Sequence, residues 1–318
     1  MTKKERVLAA IEGAPVDYVP VSFSLHFPQE IANGEASIKA HLDFYKETDV
    51  DIMKIMNENI VPDFGEIKSP SDWNIIPTFT RKSSFIQKEV ELVKRILDKC
   101  DNDTFSLVTI HSVCASSIHP IEAKYGYVPV RELQVAHYRE NPTPYTDACK
   151  RITDAMCYLT EEVINAGADG IYLAALGAEK HYFTDEEFSK IYAPNDRQIM
   201  QVAKLNNGKV LLHACKENLE MARYRDYEAD ADIINWGVYE TNFSLEQGRE
   251  LFPNATLMGG IANRSGVLVD GSDEELDIAI KNIIEKQEKQ KFIFGADCTL
   301  PTEISYDRIN RAVRAARI

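Results

Sequence analysis

Short apolar runs alternate with longer amphipathic stretches along most of this chain, and that alternation constrains the fold more than any other feature. In the second half, residues 170–174, 209–213, 231–236, 256–260 and 291–295 read as buried strands. Helices are expected at about 145–166, ending at Gly167, and at about 185–206, 244–251, 273–288 and 305–316. The first half is less regular. A short helix is expected over 2–13, capped by Thr2, with Val7, Leu8 and Ile11 at helical spacing and Gly13 as its stop. Residues 18–23 and 49–55 read as the first two strands. Residues 105–110, after a helix at about 86–99, read as the third or fourth, and the run at 170–174 counts as the fifth. Roughly eight strand–helix units in a chain of 318 residues fit an α/β fold of the (β/α)8 TIM-barrel type. A doubly wound open sheet is the runner-up, but no Gly-x-Gly-x-x-Gly turn follows the first strand. With no linker-like run and no short repeat, one domain over 1–318 is expected.

Composition narrows the function. The net charge of −14 disfavours nucleic acid and anionic membrane as partners. No stretch approaches the roughly 20 apolar residues of a membrane span, and the N-terminus has no long apolar core, so a cytoplasmic location is expected. There the 6 cysteines read as free thiols or metal ligands rather than disulfides.

Two of those cysteines stand out. His213-Ala214-Cys215 ends one strand, and Cys298 follows the last one within Gly295-Ala296-Asp297-Cys298. In a barrel the active site lies at the carboxyl ends of the strands, so these segments point at one mouth. Side chains alternate along an extended segment, which puts His213 and Cys215 on one side. One imidazole and two thiolates suit a divalent zinc ion with one position open. Taken singly, either cysteine reads as ordinary core packing, and residue spacing leaves both readings standing.

Other polar residues near strand ends could join such a site. Glu240 could supply a fourth oxygen ligand. His26 and His111 each follow an expected strand and could move a proton or hold substrate. Asp297 could orient a ligand. Asn57, Glu58 and Asn59 follow the second strand, where a polar loop is the plainer reading. His181 and Tyr182 fall in a loop near the mouth without an assignable role. Cys100, Cys114, Cys149 and Cys157 lack ligand spacing to a histidine and read as core thiols.

The whole chain resembles the uroporphyrinogen decarboxylase superfamily. The similarity lies in the head, residues 4–13 with Asp17-Tyr18-Val19-Pro20-Val21; in Ala166-Gly167-Ala168-Asp169-Gly170-Ile171; in Met258-Gly259-Gly260-Ile261 with residues 271–276; and in Phe294-Gly295-Ala296-Asp297-Cys298-Thr299-Leu300-Pro301. The superfamily's decarboxylases carry an arginine-rich segment after the first strand, whereas residues 21–28 here contain no arginine. Its corrinoid-linked methyltransferases carry His-x-Cys and a later Cys as zinc ligands, which His213, Cys215 and Cys298 match. The resemblance therefore implies a zinc enzyme that activates a small thiol such as coenzyme M or homocysteine, or a folate-type acceptor, toward a methylcorrinoid carried on a partner protein. A homodimer is allowed. A decarboxylase of a tetrapyrrole or related polycarboxylate is the alternative, and a non-catalytic corrinoid-handling or zinc-binding accessory protein is the third.

Overall fold

The computed structural model describes residues 1–287 and 290–318. It holds eight parallel strands: β1 Val21–Ser22, β2 Ile52–Ile55, β3 Phe105–His111, β4 Gly170–Ala175, β5 Lys209–Ala214, β6 Ile233–Trp236, β7 Thr256–Ile261 and β8 Phe292–Ala296. Their spatial order is β1-β8-β7-β6-β5-β4-β3-β2, so each strand lies beside its sequence neighbour and the sheet curls round until β1 pairs with β8. An open doubly wound sheet would reverse its order at a switch point, and this one does not. The fold is the (β/α)8 barrel that the alternation predicts.

The remaining seam, between β1 and β2, is closed by one aspartate. The Asp51 backbone N–H donates to Val21 O at 2.8 Å, and the Val21 N–H donates to Asp51 Oδ2 at 2.8 Å. Asp51 Oδ1 accepts from Arg6 Nη1 at 2.7 Å, and both side chains are buried. Arg6 belongs to the helix Lys3–Glu12, which opens with a Thr2/Glu5 capping box and ends at Gly13 in the left-handed region, φ 72°. That helix plugs the amino end of the barrel. Its Val7, Ala10 and Ile11 pack on the inward residues Ile52, Phe105, Leu107, Tyr172, Leu211, Ile233, Met258 and Ile293. A larger apolar layer lies between the sheet and the outer helices. With the amino end filled, the barrel interior opens at the carboxyl end.

Several elements differ from expectation. The first two strands are shorter than residues 18–23 and 49–55. Asp49 is the left-handed C-cap of a helix, Gly34–Thr48, at φ 60°, so β2 cannot begin there. The helix expected over 185–206 is two, Asp185–Ile191 and Ala193–Leu205; Pro194, in the first turn of the second, lacks the N–H needed to continue the first. The strand at 170–175 is the fourth, not the fifth. Helices Val113–Tyr125 and Tyr127–Glu140 lie where the sequence pattern gave no helix. The expected helix 273–288 runs over Asp273–Gln287, and residue 288 lies outside the described residues. Among the described residues no helix is long and apolar enough to cross a membrane.

Candidate metal centre

Register brings the soft ligands together. His213 on β5 stands opposite Ala174 on β4 and Asn235 on β6. Because side chains alternate, Leu211, His213 and Cys215 share the inward direction, with Leu211 in the filled base and the other two above it. Cys298 arrives from the end of β8, the second strand beyond β6. The ligand atoms of His213, Cys215 and Cys298 all lie within 4.8 Å of one another, and the two sulfurs are 4.0 Å apart.

Asn235 fixes the histidine. Its Nδ2 donates to Met258 O at 2.9 Å and to Ala296 O at 3.2 Å, so its Oδ1 must face the ring. His213 Nδ1–H then donates to Asn235 Oδ1 at 2.5 Å. This leaves the lone pair on Nε2, which is buried and has no hydrogen-bond partner among the described residues. An orphaned buried acceptor costs on the order of 1–3 kcal/mol unless something fills it. A hydrogen bond from Cys215 holds the Cys298 thiol well below its usual range, while that bond and burial push Cys215 up. An unpartnered imidazole nitrogen beside two sulfurs 4.0 Å apart suits a soft divalent cation.

The cluster opens on a cavity of about 340 Å³ lined by His26, Lys54, Thr109, His111, His119, Tyr172, Lys216, Glu240 and Arg264, among others. The remaining expected site residues take varied positions. Glu240 lines this cavity, and the three-residue cluster of possible ligands does not include it. Its carboxylate folds back on its own helix turn, 2.8 Å from where a Cβ on Gly237 would sit. His111 is the last residue of β3 rather than a loop residue. Burial first, and then neighbouring His119, His26 and Lys54, hold its imidazole neutral. Its ring meets His119 edge-on at 4.8 Å. His26 sits exposed on the rim, with Nδ1 2.8 Å from Glu58 Oε1. Asp297 is fully buried and its Oδ2 accepts the Tyr239 N–H at 2.8 Å, so it anchors the short helix Val238–Thr241 that carries Glu240. No hydrogen bond joins it to His213 among the described residues. Burial pushes its carboxyl up to about 7.

Neither Asn57 nor Asn59 lines the cavity. Asn57 Oδ1 closes a turn on the Asn59 N–H at 2.9 Å, and Asn59 Nδ2 donates to Glu89 Oε2 at 2.9 Å. The His181 ring meets Tyr182 at 4.1 Å with a 44° tilt, also away from the cavity. Cys114, Cys149 and Cys157 are buried thiols that burial pushes up, as packing residues should be. Lys54, His119 and Asn235 were missed. Lys54 carried a signal, a lysine inside the apolar run 52–55. Asn235 and His119 carried none without the register.

Glu89 offers a test of this wall of the site. It is fully buried, its Oε1 has no partner among the described residues, and burial pushes its carboxyl up to about 8. A raised folded pKa means the folded state holds the proton longer than the unfolded chain, so stability should fall as pH rises from about 4.5 to about 8. Glu89→Gln, which copies the protonated shape, should flatten that slope in urea titrations run across this window. An unchanged slope would show that Glu89 is ionised in the fold.

A parallel barrel carrying a His/Cys/Cys cluster at its carboxyl mouth defines the class. Residues 132–318 match the family model described as uroporphyrinogen decarboxylase (URO-D), and the chain belongs to that family. A comparison with curated proteins found no match. Among solved structures, a methyltransferase from Methanosarcina mazei superposes with a TM-score of 0.76 at 16% identity, covering 99% of this chain and 98% of that one. A B12-independent methionine synthase from a Shewanella species gives 0.64 at 12% identity, covering 94% and 97%. A putative vitamin-B12 independent methionine synthase from Listeria monocytogenes gives 0.59 at 14% identity, covering 95% and 97%. At such identities the likeness is one of fold.

Proposed function

We propose that this protein is a zinc-dependent methyltransferase, built as one domain over 1–318, which moves a methyl group from a methylated corrinoid on a partner protein to a small thiol. The observation that carries the reading is the orphaned Nε2 of His213 aimed at two sulfurs 4.0 Å apart at the barrel mouth. Likeness in fold to a methyltransferase and to methionine synthases supports it. His213, Cys215 and Cys298 would hold the zinc ion, which supplies Lewis acidity toward a thiol in its remaining position.

The chain's own residues do the rest. Asn235 holds His213 in the one tautomer that leaves Nε2 available. At the rim, Glu58 orients His26 through Nδ1 and leaves its other nitrogen able to pass the thiol proton to water. Neutral His111 and His119 line the cavity without adding charge. A methylcorrinoid donor would supply the methyl group to the acceptor sulfur and retain the electron pair of the broken carbon–cobalt bond. The cavity's task is alignment.

The family also contains decarboxylases. Residues 24–28, which enter the mouth after β1, bring no arginine to grip a polycarboxylate. The test is zinc analysis of the reduced, purified protein with a methylcobalamin-to-thiol transfer assay. Near-stoichiometric zinc and thiol-dependent loss of methylcobalamin are expected. Protein that binds no zinc yet decarboxylates uroporphyrinogen would overturn the proposal.

A further inference from the structure

The loops that leave β4 and β5 are zipped together beside the ligand cluster. The Cys215 N–H donates to Ala175 O at 2.9 Å, the Glu220 N–H to Ala178 O at 2.9 Å and the Lys180 N–H to Asn218 O at 3.1 Å. Between the last two, Glu179 and Leu219 face each other as an antiparallel bridge. Along this zipper Lys216 holds φ 90° and Asn218 φ 56°. A lysine keeps such a backbone only where its surroundings over-determine it, and this one adjoins Cys215.

A buried ion pair pins the zipper from behind. Glu179 is 2% exposed, and Arg131, from the helix Tyr127–Glu140, is 0% exposed. Glu179 Oε2 accepts from Arg131 Nη2 at 3.3 Å and from the Gly177 N–H at 3.1 Å, and its Oε1 accepts the Tyr127 hydroxyl. Arg131 Nη1 donates to Gln134 Oε1 at 2.7 Å and to the Tyr192 hydroxyl oxygen at 3.1 Å. Gly177, at φ 109°, passes so close to this network that a Cβ there would stand 2.8 Å from the Tyr192 ring. The Tyr127 ring in turn lies under Lys216, whose Nζ is 4.0 Å from its centre, and both residues line the cavity. The pair therefore reaches the residue after Cys215 by two routes, through the backbone of the zipper and through Tyr127. A buried ion pair is often no more stabilising than apolar side chains of the same size, and what it adds here is fixed geometry.

We propose that Glu179 and Arg131 are positioning residues for Cys215. The pair fixes the loop after β4, the zipper fixes the loop after β5, and together they set where the Cys215 sulfur stands relative to His213 and Cys298. They do for the thiol what Asn235 does for the histidine. The inference rests on the reading of those three residues as zinc ligands and not on methyl transfer.

The test titrates the reduced full-length protein with zinc against a competing chelator, and with cobalt(II), whose visible bands report the geometry of its ligands. Glu179→Leu is expected to lower affinity for both ions by about 10–100-fold, the usual range for a residue that orients a ligand, and to shift and weaken the cobalt bands. Combining Glu179→Leu with Arg131→Met replaces the pair by apolar side chains, so the urea midpoint of the metal-free protein should return toward wild type while affinity stays low. Affinity that returns together with the midpoint overturns the proposal, since the pair would then act through stability alone. Tyr127→Phe keeps its ring under Lys216 and removes one donor to the carboxylate. It should lower affinity in the same direction by a smaller step, which keeps the test open if Glu179→Leu folds poorly. Arg6→Met, at the other end of the barrel, is the control for stability: its midpoint should fall with affinity unchanged. Unchanged zinc affinity in Glu179→Leu and Tyr127→Phe also overturns the proposal. Wild type that binds zinc but methylates no thiol removes the transferase reading and leaves the positioning pair; wild type that binds neither ion removes both.

Discussion

Cys298→Ala is expected to lose bound zinc and, with it, thiol methylation. The cluster has three soft ligand atoms within 4.8 Å, so removing one leaves an imidazole and a single sulfur. Two ligands cannot close a tetrahedral zinc site with one exchangeable position. A Lewis acid contributes several kcal/mol to such a step, so the rate should fall by roughly 10²–10³. The fold should survive, because Cys298 is only partly buried and lies beyond the end of β8. Asn235→Leu makes the graded counterpart. It frees the His213 tautomer without touching a ligand atom, and such supporting residues are typically worth about 10–100-fold in metal affinity. Metal analysis by mass spectrometry and a competitive zinc chelator measure both variants. If Cys298→Ala retained full zinc occupancy and rate, the ligand assignment would fall.

Arg6→Met is expected to destabilise the fold by about 3–5 kcal/mol, the usual penalty for stranding one member of a buried ion pair. Asp51 is 0% exposed, burial already raises its carboxyl, and it would face the β1–β2 seam without its hydrogen-bonded guanidinium. Asp51→Ala acts differently: Arg6 keeps its bonds to Asp17 at 2.7 and 2.9 Å, while the Val21 N–H is left unpaired where no β1–β2 ladder exists to take it, a loss of about 1–3 kcal/mol. Urea denaturation midpoints at neutral pH read both changes, with zinc content as the control that the mouth is intact. A shift below about 1 kcal/mol for Arg6→Met would mean that the seam closes by packing alone.

Much of the barrel was legible because its strands are buried on both faces and read as unbroken apolar runs. Residues 209–213 and 256–260 each fell within one residue of β5 and β7. The early strands were less legible: β1 spans two residues, and β2 starts only after a left-handed cap at Asp49. The site divides in the same way. His213, Cys215 and Cys298 announce themselves by side-chain chemistry at strand ends. Glu240 looked equally suitable in sequence, yet its side chain turns back on its own helix. Asp297 could in sequence either orient a ligand or hold a helix end or loop by hydrogen bonding, and its Oδ2 accepts the Tyr239 N–H.

By itself the sequence determined the barrel class and the soft-ligand triad, since hydrophobic period and donor chemistry are local properties of the chain. Only the tertiary structure decided that Asn235 sets the His213 tautomer, that Lys54 has no carboxylate partner among the described residues, and that Asp51 closes the barrel seam. Each of these depends on which strand lies beside which and in what register. Those relations exist only after the ring has closed, between residues whose separation in sequence carries no trace of them.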